Sequence, residues 1–424
     1  MLMAVSDRME ERMNDVWTLP NGLRIVGERL PYLRSVSIGV WLRVGSMMET
    51  PAENGLSHYL EHMVFKGTKK RTNRQIAEEM DAVGGQLNAF TGKDCTCLYA
   101  KVIDENIDLA VDILADLTLN ATLDEADFNK ERGVILEEIA MDEDSPEDLV
   151  HELLSKAQFG DQALAMPILG TEELISAYTR DDLYAFRAHH YRPADTVVAL
   201  CGNYDPEAVY ALIAERFGGW QNGGERTEPG LMTPLTGRTL VKEKDTEQLH
   251  LCLGYPGTPY GDRGIYPQAI LNNLLGGAMS SRLFQRIREE LGMAYSIYTY
   301  PNSYLSCGVF AVYAGVSQKN GQLVLDEIDS ELKRLLRDGI TEKEFREGKQ
   351  QLRGGYLLGL ESPGGRMQAM GRGMLLLDRI ITPADTIAKI DAVTLDDVMA
   401  AANRILTVEP CLAAAGKGAA AFAK

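Results

Sequence analysis

Residues 53–66 read ENGLSHYLEHMVFK and combine a helical apolar spacing with two histidines and a glutamate. The spacing of Leu56 and Leu60 predicts one apolar face of an α-helix. His58 and His62 are four residues apart, so on such a helix they lie one above the other. Two imidazoles in that arrangement can direct nitrogens to one cation at about 2.0–2.1 Å, the distance that zinc requires.

Glu61 lies at the margin of the helix face that carries the two histidines. A carboxylate there can take a proton from a metal-bound water without being a ligand, and the pattern His-x-x-Glu-His is typical of zinc-dependent hydrolysis. The alternative is a helix that simply exposes two histidines. Because the whole chain has six histidines, their coincidence with the glutamate favours a metal site.

A catalytic zinc needs a third protein ligand from elsewhere in the chain and one open position. Residues 131–140 (ERGVILEEIA) have helical character, with Glu131 and Glu138 two turns apart on one face. Glu137 points about 100° away from Glu138. Acidic residues on a helix face are usually solvated, so these residues alone support a solvated Glu138 as well as a ligand.

The bulk composition is that of a globular protein. The chain has 424 residues, 45% hydrophobic and 25% charged, which predicts two domains of about 200 residues each. A formal net charge of −18 disfavours nucleic acids and anionic membranes as partners, and suits either cationic peptides or plain solubility. No run of 18 or more apolar residues predicts a membrane span.

The cysteines and the N-terminal residues indicate the expected compartment. The first 17 residues mix acidic and basic side chains and have no apolar core, so they do not resemble a secretory signal. Cys95 and Cys97 are the one close pair, and their spacing suits neither a zinc knuckle nor a redox pair. We therefore expect reduced thiols in a cytoplasmic protein.

The chain contains an internal repeat. Residues 83–91 (VGGQLNAFT) align with residues 291–299 (LGMAYSIYT) at an offset of 208, and residues 123–132 (LDEADFNKER) with 341–350 (TEKEFREGKQ) at an offset of 218. Each half shows, in order, an alternating strand, a helix, a Gly-led pair of strands, a long amphipathic helix and a capped helix. This order predicts an α+β fold of two homologous domains, each a mainly antiparallel sheet with helices packed on one face.

The domain boundary is expected where local order is lowest. Residues 218–238 are rich in Gly, Pro and Thr and have no apolar period, which is typical of a linker. The sequence therefore predicts an N-terminal metal-binding domain at 1–217 and a homologous C-terminal domain at 239–424.

These features resemble the insulinase/pitrilysin-type zinc metallopeptidases, also called inverzincins. Within that family the chain is similar to the branch of the mitochondrial processing peptidase and its short bacterial relatives. The similarity runs from about residue 19 to about residue 400. The segments that carry it are GLSHYLEHMVFKGT (55–68), GGQLNAFTGKD (84–94), ERGVILEE (131–138), PILGTEE (167–173) and LLGGAMSSRLFQRIREELGMAYSIY (274–298).

The resemblance assigns a role to each matching residue. It implies a zinc ion held by His58, His62 and Glu138. It further implies that Glu61 is the general base and that Glu131 orients one of the ligands. It also implies that the substrate lies along an edge strand at residues 87–91. The substrate contacts that it implies are Phe65, Asn88, Ala89 and Thr91, with Arg288 and Tyr295 contributed by the second half.

The resemblance also explains why one half alone has histidines in this pattern. At the offset of 208, the two histidines fall in residues 264–275 (GIYPQAILNNLL), which contain none. The second half is therefore expected to keep the sheet without the metal ligands.

The function implied by the resemblance is a zinc-dependent endopeptidase that cleaves unfolded peptides in an enclosed chamber, with Glu61 activating a zinc-bound water. A homodimer is implied, with Arg288 and Tyr295 acting in trans. The alternatives are a catalytic subunit that requires a different partner chain and a non-catalytic peptide-binding or scaffold homologue. In a structural zinc protein, a third alternative, Glu61 would have no role.

Overall fold

The protein is described by a computed structural model that covers residues 14–221 and 230–423. These residues form two compact units, each built from three separate parts of the chain. The first unit contains residues 14–139, 167–221 and 358–382, and the second contains residues 140–166, 230–357 and 383–423.

The N-terminal part of the chain alternates strands and helices. Short 3₁₀ helices connect some of these elements. The strands and α-helices up to residue 217 are β1 (Asn14–Thr18), β2 (Arg24–Arg29), β3 (Ser35–Leu42), α1 (Leu56–Val64), α2 (Asn73–Ala82), β4 (Gln86–Thr91), β5 (Thr96–Ile103), α3 (Ile107–Asn120), α4 (Glu125–Asp144), α5 (Pro146–Phe159), α6 (Glu172–Ala177), α7 (Arg180–His190), β6 (Thr196–Gly202) and α8 (Pro206–Phe217).

The C-terminal part repeats much of this order and adds a π-helical segment at Phe284–Glu290. None of the described helices is long and apolar enough to cross a bilayer. The remaining elements are β7 (Thr239–Lys242), β8 (Leu249–Gly257), α9 (Ile265–Leu275), β9 (Ala294–Ser303), β10 (Gly308–Val316), α10 (Gly321–Asp338), α11 (Glu342–Gly359), α12 (Pro363–Leu377), α13 (Pro383–Ala392), α14 (Leu395–Leu406) and β11 (Cys411–Gly416).

The two sheets have the same topology. The first has the order β1-β2-β6-β3-β5-β4 and the second β7-β11-β8-β10-β9. The pairs β2–β6 and β7–β11 are parallel, and all the other pairs are antiparallel. Apart from β1, each strand of the first sheet has a counterpart at the same place in the second. The predicted α+β repeat is therefore confirmed.

Each unit has its own core, built by the period-two alternation of its strands. In β3, Val36, Ile38 and Val40 are buried in the first core against helices that include α1 and α3. In the second unit, Leu249 and Leu251 of β8 are buried in an equivalent core with α9, α10 and α14. This face of each sheet matches the helical layer predicted from the sequence.

The structure adds one helix on the opposite face of each sheet. On β3, the indole Nε1 of Trp41 donates to Sδ of Met367 in α12 at 3.4 Å. Gly371 of α12 lets this helix approach, because a Cβ there would lie 2.2 Å from the Trp41 ring. In the second unit, α5 takes the corresponding place over β8 and β11.

These two helices cross the boundary that the sequence predicted. α5 lies within residues 1–217 but belongs to the second unit, and α12 lies within 239–424 but belongs to the first. The observed units thus differ from two contiguous domains, because each half of the chain contributes a helix to the other unit. Of the predicted linker at 218–238, residues 222–229 lie outside the described residues.

The cysteines are buried and form no disulfides. Burial raises the pKa of Cys95 and Cys97, which keeps both thiols protonated. The structure therefore agrees with the interpretation of the close pair as core thiols.

Candidate metal centre

The start of α1 is fixed by a buried carboxylate. Glu49 accepts hydrogen bonds from the backbone N–H groups of Gly55 at 2.9 Å and Ser57 at 2.8 Å, and from Nδ2 of Asn54 at 3.0 Å. These bonds satisfy donors that a helix N-terminus leaves free, where a negative charge is also favourable. Gly55 has φ 97°, and a Cβ there would lie 2.8 Å from Cα of Gly170. The position therefore requires glycine.

A buried tyrosine ties α1 to α4. The hydroxyl of Tyr59 donates to the backbone oxygen of Phe128 at 2.6 Å. The two rings stack with centroids 4.7 Å apart and planes 5° from parallel. Because Tyr59 follows His58 and Phe128 lies one turn before Glu131, this contact sets the distance between the two helices at the candidate site.

The structure brings His58, His62 and Glu138 together. Nε2 of each histidine lies 3.6 Å from Oε2 of Glu138, and one ligand atom from each of the three residues lies within 4.8 Å of the others. Two ligands of a tetrahedral zinc, each at 2.0–2.1 Å, are about 3.4 Å apart. Among the described residues, this is the one group of His, Cys, Asp and Glu side chains that could hold a metal ion.

Glu131 lies behind His62. Its Oε2 is 3.2 Å from Nδ1 of His62, which leaves Nε2 of that ring facing Glu138. Its Oε1 is 2.7 Å from Nζ of Lys66. Glu131 is only 3% exposed, so the lysine balances a charge that water cannot reach. A carboxylate on the distal nitrogen of a ligating histidine fixes the tautomer and orientation of the ring.

Lys66 was not predicted as part of the site. Lys66 could have been predicted from its position four residues after His62, because this spacing places it on the same helical face as the two histidines, just beyond the end of α1. What the sequence alone did not indicate is that this face meets the buried carboxylate of Glu131.

His58 has a different environment. Its Nδ1 is buried and has no hydrogen-bond partner among the residues that the structure describes. Burial, and secondly the nearby His62, lower the pKa of His58 to about 4. The ring is therefore neutral at physiological pH, as metal coordination requires.

Glu61 lies next to the three converging side chains without joining them. Oγ1 of Thr91 donates a hydrogen bond to Oε2 of Glu61. Burial raises the pKa of Glu61, and the Thr91 bond opposes this effect. A carboxyl group with a raised pKa is suited to exchanging protons near neutral pH. Thr91 was predicted as a substrate contact. In the structure its hydroxyl is hydrogen-bonded to Glu61, the residue predicted as the base.

The predicted substrate strand lies at the edge of the first sheet. Among the strands that the structure describes, β4 is the last in that sheet and pairs with β5 alone. Oδ1 of Asn88 accepts a hydrogen bond from the backbone N–H of Ala89 at 2.8 Å. Phe65 is partly buried and packs against the first core. The strand therefore offers a free edge close to Glu61.

Arg288 and Tyr295 come together in the second unit. The guanidinium carbon of Arg288 lies 4.8 Å from the ring centroid of Phe284 and 5.9 Å from that of Tyr295. Tyr295, on β9, is 74% exposed. The two residues that the resemblance assigns to the substrate thus form a neighbouring pair.

Comparison with known proteins gives consistent matches along the chain. Residues 24–172 match the family model described as insulinase (peptidase family M16), and residues 177–352 match the peptidase M16 inactive domain. The uncharacterized zinc protease YmxG of Bacillus subtilis (strain 168) is 44% identical over 398 residues, covering 94% of this chain and 97% of that protein. An uncharacterized zinc protease of Streptomyces coelicolor is 42% identical over 409 residues, covering 94% and 88% of the two chains.

Solved structures share the fold. The crystal structure of a protease from Helicobacter pylori has a TM-score of 0.89 at 22% identity, covering 95% of this chain and 99% of that one. A peptidase M16 inactive domain from Pseudomonas fluorescens has a TM-score of 0.89 at 19% identity, with 95% and 98% coverage. At these identities the likeness establishes the two-sheet architecture.

Proposed function

The chain belongs to the insulinase family of peptidases, family M16, and on this premise we propose that it is a zinc-dependent endopeptidase acting through His58, His62, Glu138 and Glu61. The observation that supports these roles best is the convergence of one oxygen and two ring nitrogens beside a carboxylate with a raised pKa. Two relatives named as zinc proteases favour zinc over other divalent metals.

The two histidines and Glu138 would hold the metal, and Glu131 would keep Nε2 of His62 directed at it. Zinc bound there supplies Lewis-acid chemistry, because it lowers the pKa of water and polarises a peptide carbonyl. Three protein ligands leave room for the substrate, as in other catalytic zinc sites. A fourth protein ligand, which a closed structural site would need, is absent from the described cluster.

Glu61 acts as the proton carrier. Thr91 holds Oε2 of Glu61, so Oε1 remains available to take a proton from the attacking water. The same carboxyl then delivers that proton to the leaving amine when the peptide bond breaks. A pKa raised by burial favours both transfers, since the group must accept and release a proton within one cycle.

The substrate is a peptide in extended conformation that adds to β4. Main-chain hydrogen bonds to an edge strand give affinity with little demand on sequence. Asn88 now accepts from the Ala89 N–H; a bound peptide would take its place and turn the Asn88 side chain toward the substrate. Phe65 would contact a side chain near the scissile bond.

The second unit contributes Arg288 and Tyr295. Tyr295 is a large ring left 74% exposed, and the adjacent guanidinium restrains its orientation. The tyrosine hydroxyl would stabilise the oxyanion, a role worth about 10²–10³ in kcat for one well-placed donor. The proposal extends to a homodimer in which this pair acts in trans within a closed chamber, so that unfolded peptides are cleaved and folded proteins are spared.

The direct test is the Glu61→Gln variant. We expect kcat for peptide hydrolysis to fall by about 10²–10⁴-fold while the zinc content stays at the wild-type value. Glu137→Gln is the matched control, because Glu137 is exposed and outside the cluster. Full activity in Glu61→Gln would show that Glu61 is not the base, and a zinc-loaded wild type without activity would indicate a non-catalytic homologue.

Mixing chains tests the action in trans. Glu61→Gln and Tyr295→Phe chains, each impaired alone, are expected to regain activity when combined, because one mixed site has both groups intact. No regained activity in verified mixed dimers would contradict the trans arrangement. Activity of the purified wild-type chain by itself would remove the need for a different partner.

A cytoplasmic location is part of the proposal. The cysteines are free and buried, as is usual in a reducing compartment. A net charge of −18 disfavours nucleic acids and anionic membranes as partners.

A further inference from the structure

The second unit has a pocket at the place that the metal centre occupies in the first. A cavity of about 250 Å³ lies between α9, α11, α13 and the end of β9, all within this unit. Three of its lining residues correspond to members of the metal centre by the repeat offsets of 208 and 218: Tyr266 to His58, Ala269 to Glu61 and Tyr356 to Glu138. The second unit therefore keeps a cavity where the metal chemistry is lost.

The walls of this cavity are uncharged, in contrast to the metal centre. None of its lining residues is Asp, Glu, Lys, Arg or His. We call it the apolar pocket and define it by Ile265, Tyr266, Ala269, Leu352, Tyr356 and Ile390. Ile390 is buried, and the other five residues keep part of their surface exposed. A molecule that enters the pocket can therefore contact them.

The polar atoms of the pocket are already hydrogen-bonded. Oε1 of Gln268 accepts from the backbone N–H and from Oγ1 of Thr258, both at 2.8 Å. Oγ of Ser303 donates to the backbone oxygen of Thr258 at 2.8 Å. Among the described residues that line the pocket, no buried side-chain nitrogen or oxygen atom lacks a hydrogen-bond partner. The pocket therefore offers no buried polar atom that would select a polar ligand.

Charged side chains on α11 and α13 do not line the pocket. Nε of Arg353 lies 3.4 Å from Oδ1 of Asp391, and Nζ of Lys349 donates to backbone oxygens at the end of α13. Asp385 and Lys389 are next to pocket residues in the sequence and are also outside the lining. A charged group inside the pocket would lose its hydration without a charged partner among the lining residues.

The pocket lies beside a free strand edge that a proline interrupts. Among the strands that the structure describes, β9 is the last in the second sheet and pairs with β10 alone. Pro301 of β9 pairs with Phe310 and lines the pocket. Proline has no N–H, and in an edge strand the missing donor faces the open side. A peptide added to β9 would receive no main-chain bond from Pro301, which favours a free molecule as the occupant.

We propose that the apolar pocket binds a small uncharged hydrocarbon, such as a substituted benzene, as a free molecule. An apolar cavity of about 150 Å³ holds one benzene ring, so the volume of about 250 Å³ admits roughly eight to ten carbon atoms. The ring packs against Ile265, Leu352 and Ile390, and the rings of Tyr266 and Tyr356 add aromatic contacts. Binding is driven by the removal of apolar surface from water.

The test compares ethylbenzene with benzylamine, which has the same number of non-hydrogen atoms and is charged at neutral pH. Saturation-transfer NMR titrations onto the full chain measure both affinities. We expect ethylbenzene to bind at least about tenfold more tightly, because the ammonium group loses hydration in the pocket. Ala269→Phe fills the pocket and should abolish ethylbenzene binding. Ala388→Phe, the same change at an exposed position of α13 outside the lining, should leave it unchanged.

Leu352→Gln provides a second variant in case Ala269→Phe does not fold. It keeps a similar side-chain length and puts an amide in the wall, so ethylbenzene should bind more weakly while the thermal melting curve stays cooperative. A Gly-Gly-Phe-Gly-Gly peptide blocked at both ends distinguishes a free molecule from a peptide side chain. We expect this peptide to bind more weakly than ethylbenzene, because Pro301 offers it no main-chain donor.

Four results would overturn the proposal. The first is no binding of ethylbenzene to the wild type at the limit of its solubility. The second is benzylamine binding as tightly as ethylbenzene. The third is unchanged ethylbenzene binding in folded Ala269→Phe. The fourth is a peptide that binds more tightly than ethylbenzene and loses this affinity in Ala269→Phe, which would assign the pocket to peptides. Each is read from direct binding, so it does not depend on zinc or on peptidase activity.

Discussion

α1 and α9 occupy equivalent places in two sheets of the same topology, yet one carries metal chemistry and the other does not. At the offset of 208, His58 and His62 of α1 correspond to Tyr266 and Ile270 of α9. Ile270 is fully buried in the second core. Apolar periodicity therefore specifies the helix and its packing, while a few side chains on one face determine whether a metal is held.

α4 and α11 differ in the same way. At the offset of 218, Glu131 corresponds to Lys349 and Glu138 to Tyr356. Nζ of Lys349 donates to the backbone oxygens of Asp391 at 2.6 Å and Val393 at 2.8 Å, at the end of α13. A cation is favourable at a helix C-terminus. Where the first unit uses a carboxylate to orient a histidine, the second uses a lysine to cap a helix.

The largest difference between the two units is expected when the equivalent residues Glu131 and Lys349 are substituted. Glu131→Gln removes the charge behind His62, and zinc affinity should fall about 10–100-fold. Lys349→Met, the equivalent change in the second unit, should lower the melting temperature and leave zinc affinity unchanged. Zinc competition with a chromogenic chelator measures both. Equal zinc affinity in the wild type and Glu131→Gln would show that Glu131 does not orient His62 for metal binding.

A smaller effect is expected from Thr91→Val. The Thr91 hydrogen bond opposes the rise that burial causes in the pKa of Glu61, so its removal raises that pKa further. Because the base must be ionised, the acid limb of the pH profile of kcat/KM should move to higher pH. The loss of activity should be confined to acidic conditions. Thr91→Ser keeps the hydroxyl and should reproduce the wild-type profile. A limb that moves to lower pH would contradict this reasoning.

The smallest effect is expected from Ile270→Val in the second unit. Deleting one buried methylene should cost about 0.5–1.5 kcal/mol of unfolding free energy. Zinc content and kcat should stay at wild-type values, in contrast to any change at the equivalent His62. Thermal unfolding and metal analysis test this together. A loss of zinc in Ile270→Val would show that the second helix is not purely structural.

The local features of the site could be predicted from the sequence because they depend on helical spacing. His58, Glu61 and His62 lie within one turn, and Glu131 and Glu138 lie on one face two turns apart. The partners of those residues could not be predicted in the same way. Lys66 pairs with Glu131, sixty-five residues later, and only the packing of α1 on α4 brings them together.

The exchange of helices between the units was missed because the prediction assumed contiguous domains. A signal was present: α5 and α12 both begin with Ser-Pro, at Ser145 and Ser362, and each serine caps its helix. These motifs end the preceding long helices at equivalent places in the repeat. They do not indicate which sheet the next helix will cover, since that depends on contacts distant in sequence.

We propose that Glu138, and not its neighbour Glu137, completes a zinc site with the two histidines. The most direct measurement is the zinc content of wild type, Glu138→Gln and Glu137→Gln after dialysis against a weak chelator. We predict about one zinc per chain in wild type and Glu137→Gln, and a large loss of zinc in Glu138→Gln, since three protein ligands are needed. Retention of zinc at wild-type affinity in Glu138→Gln would show that Glu138 is not a ligand.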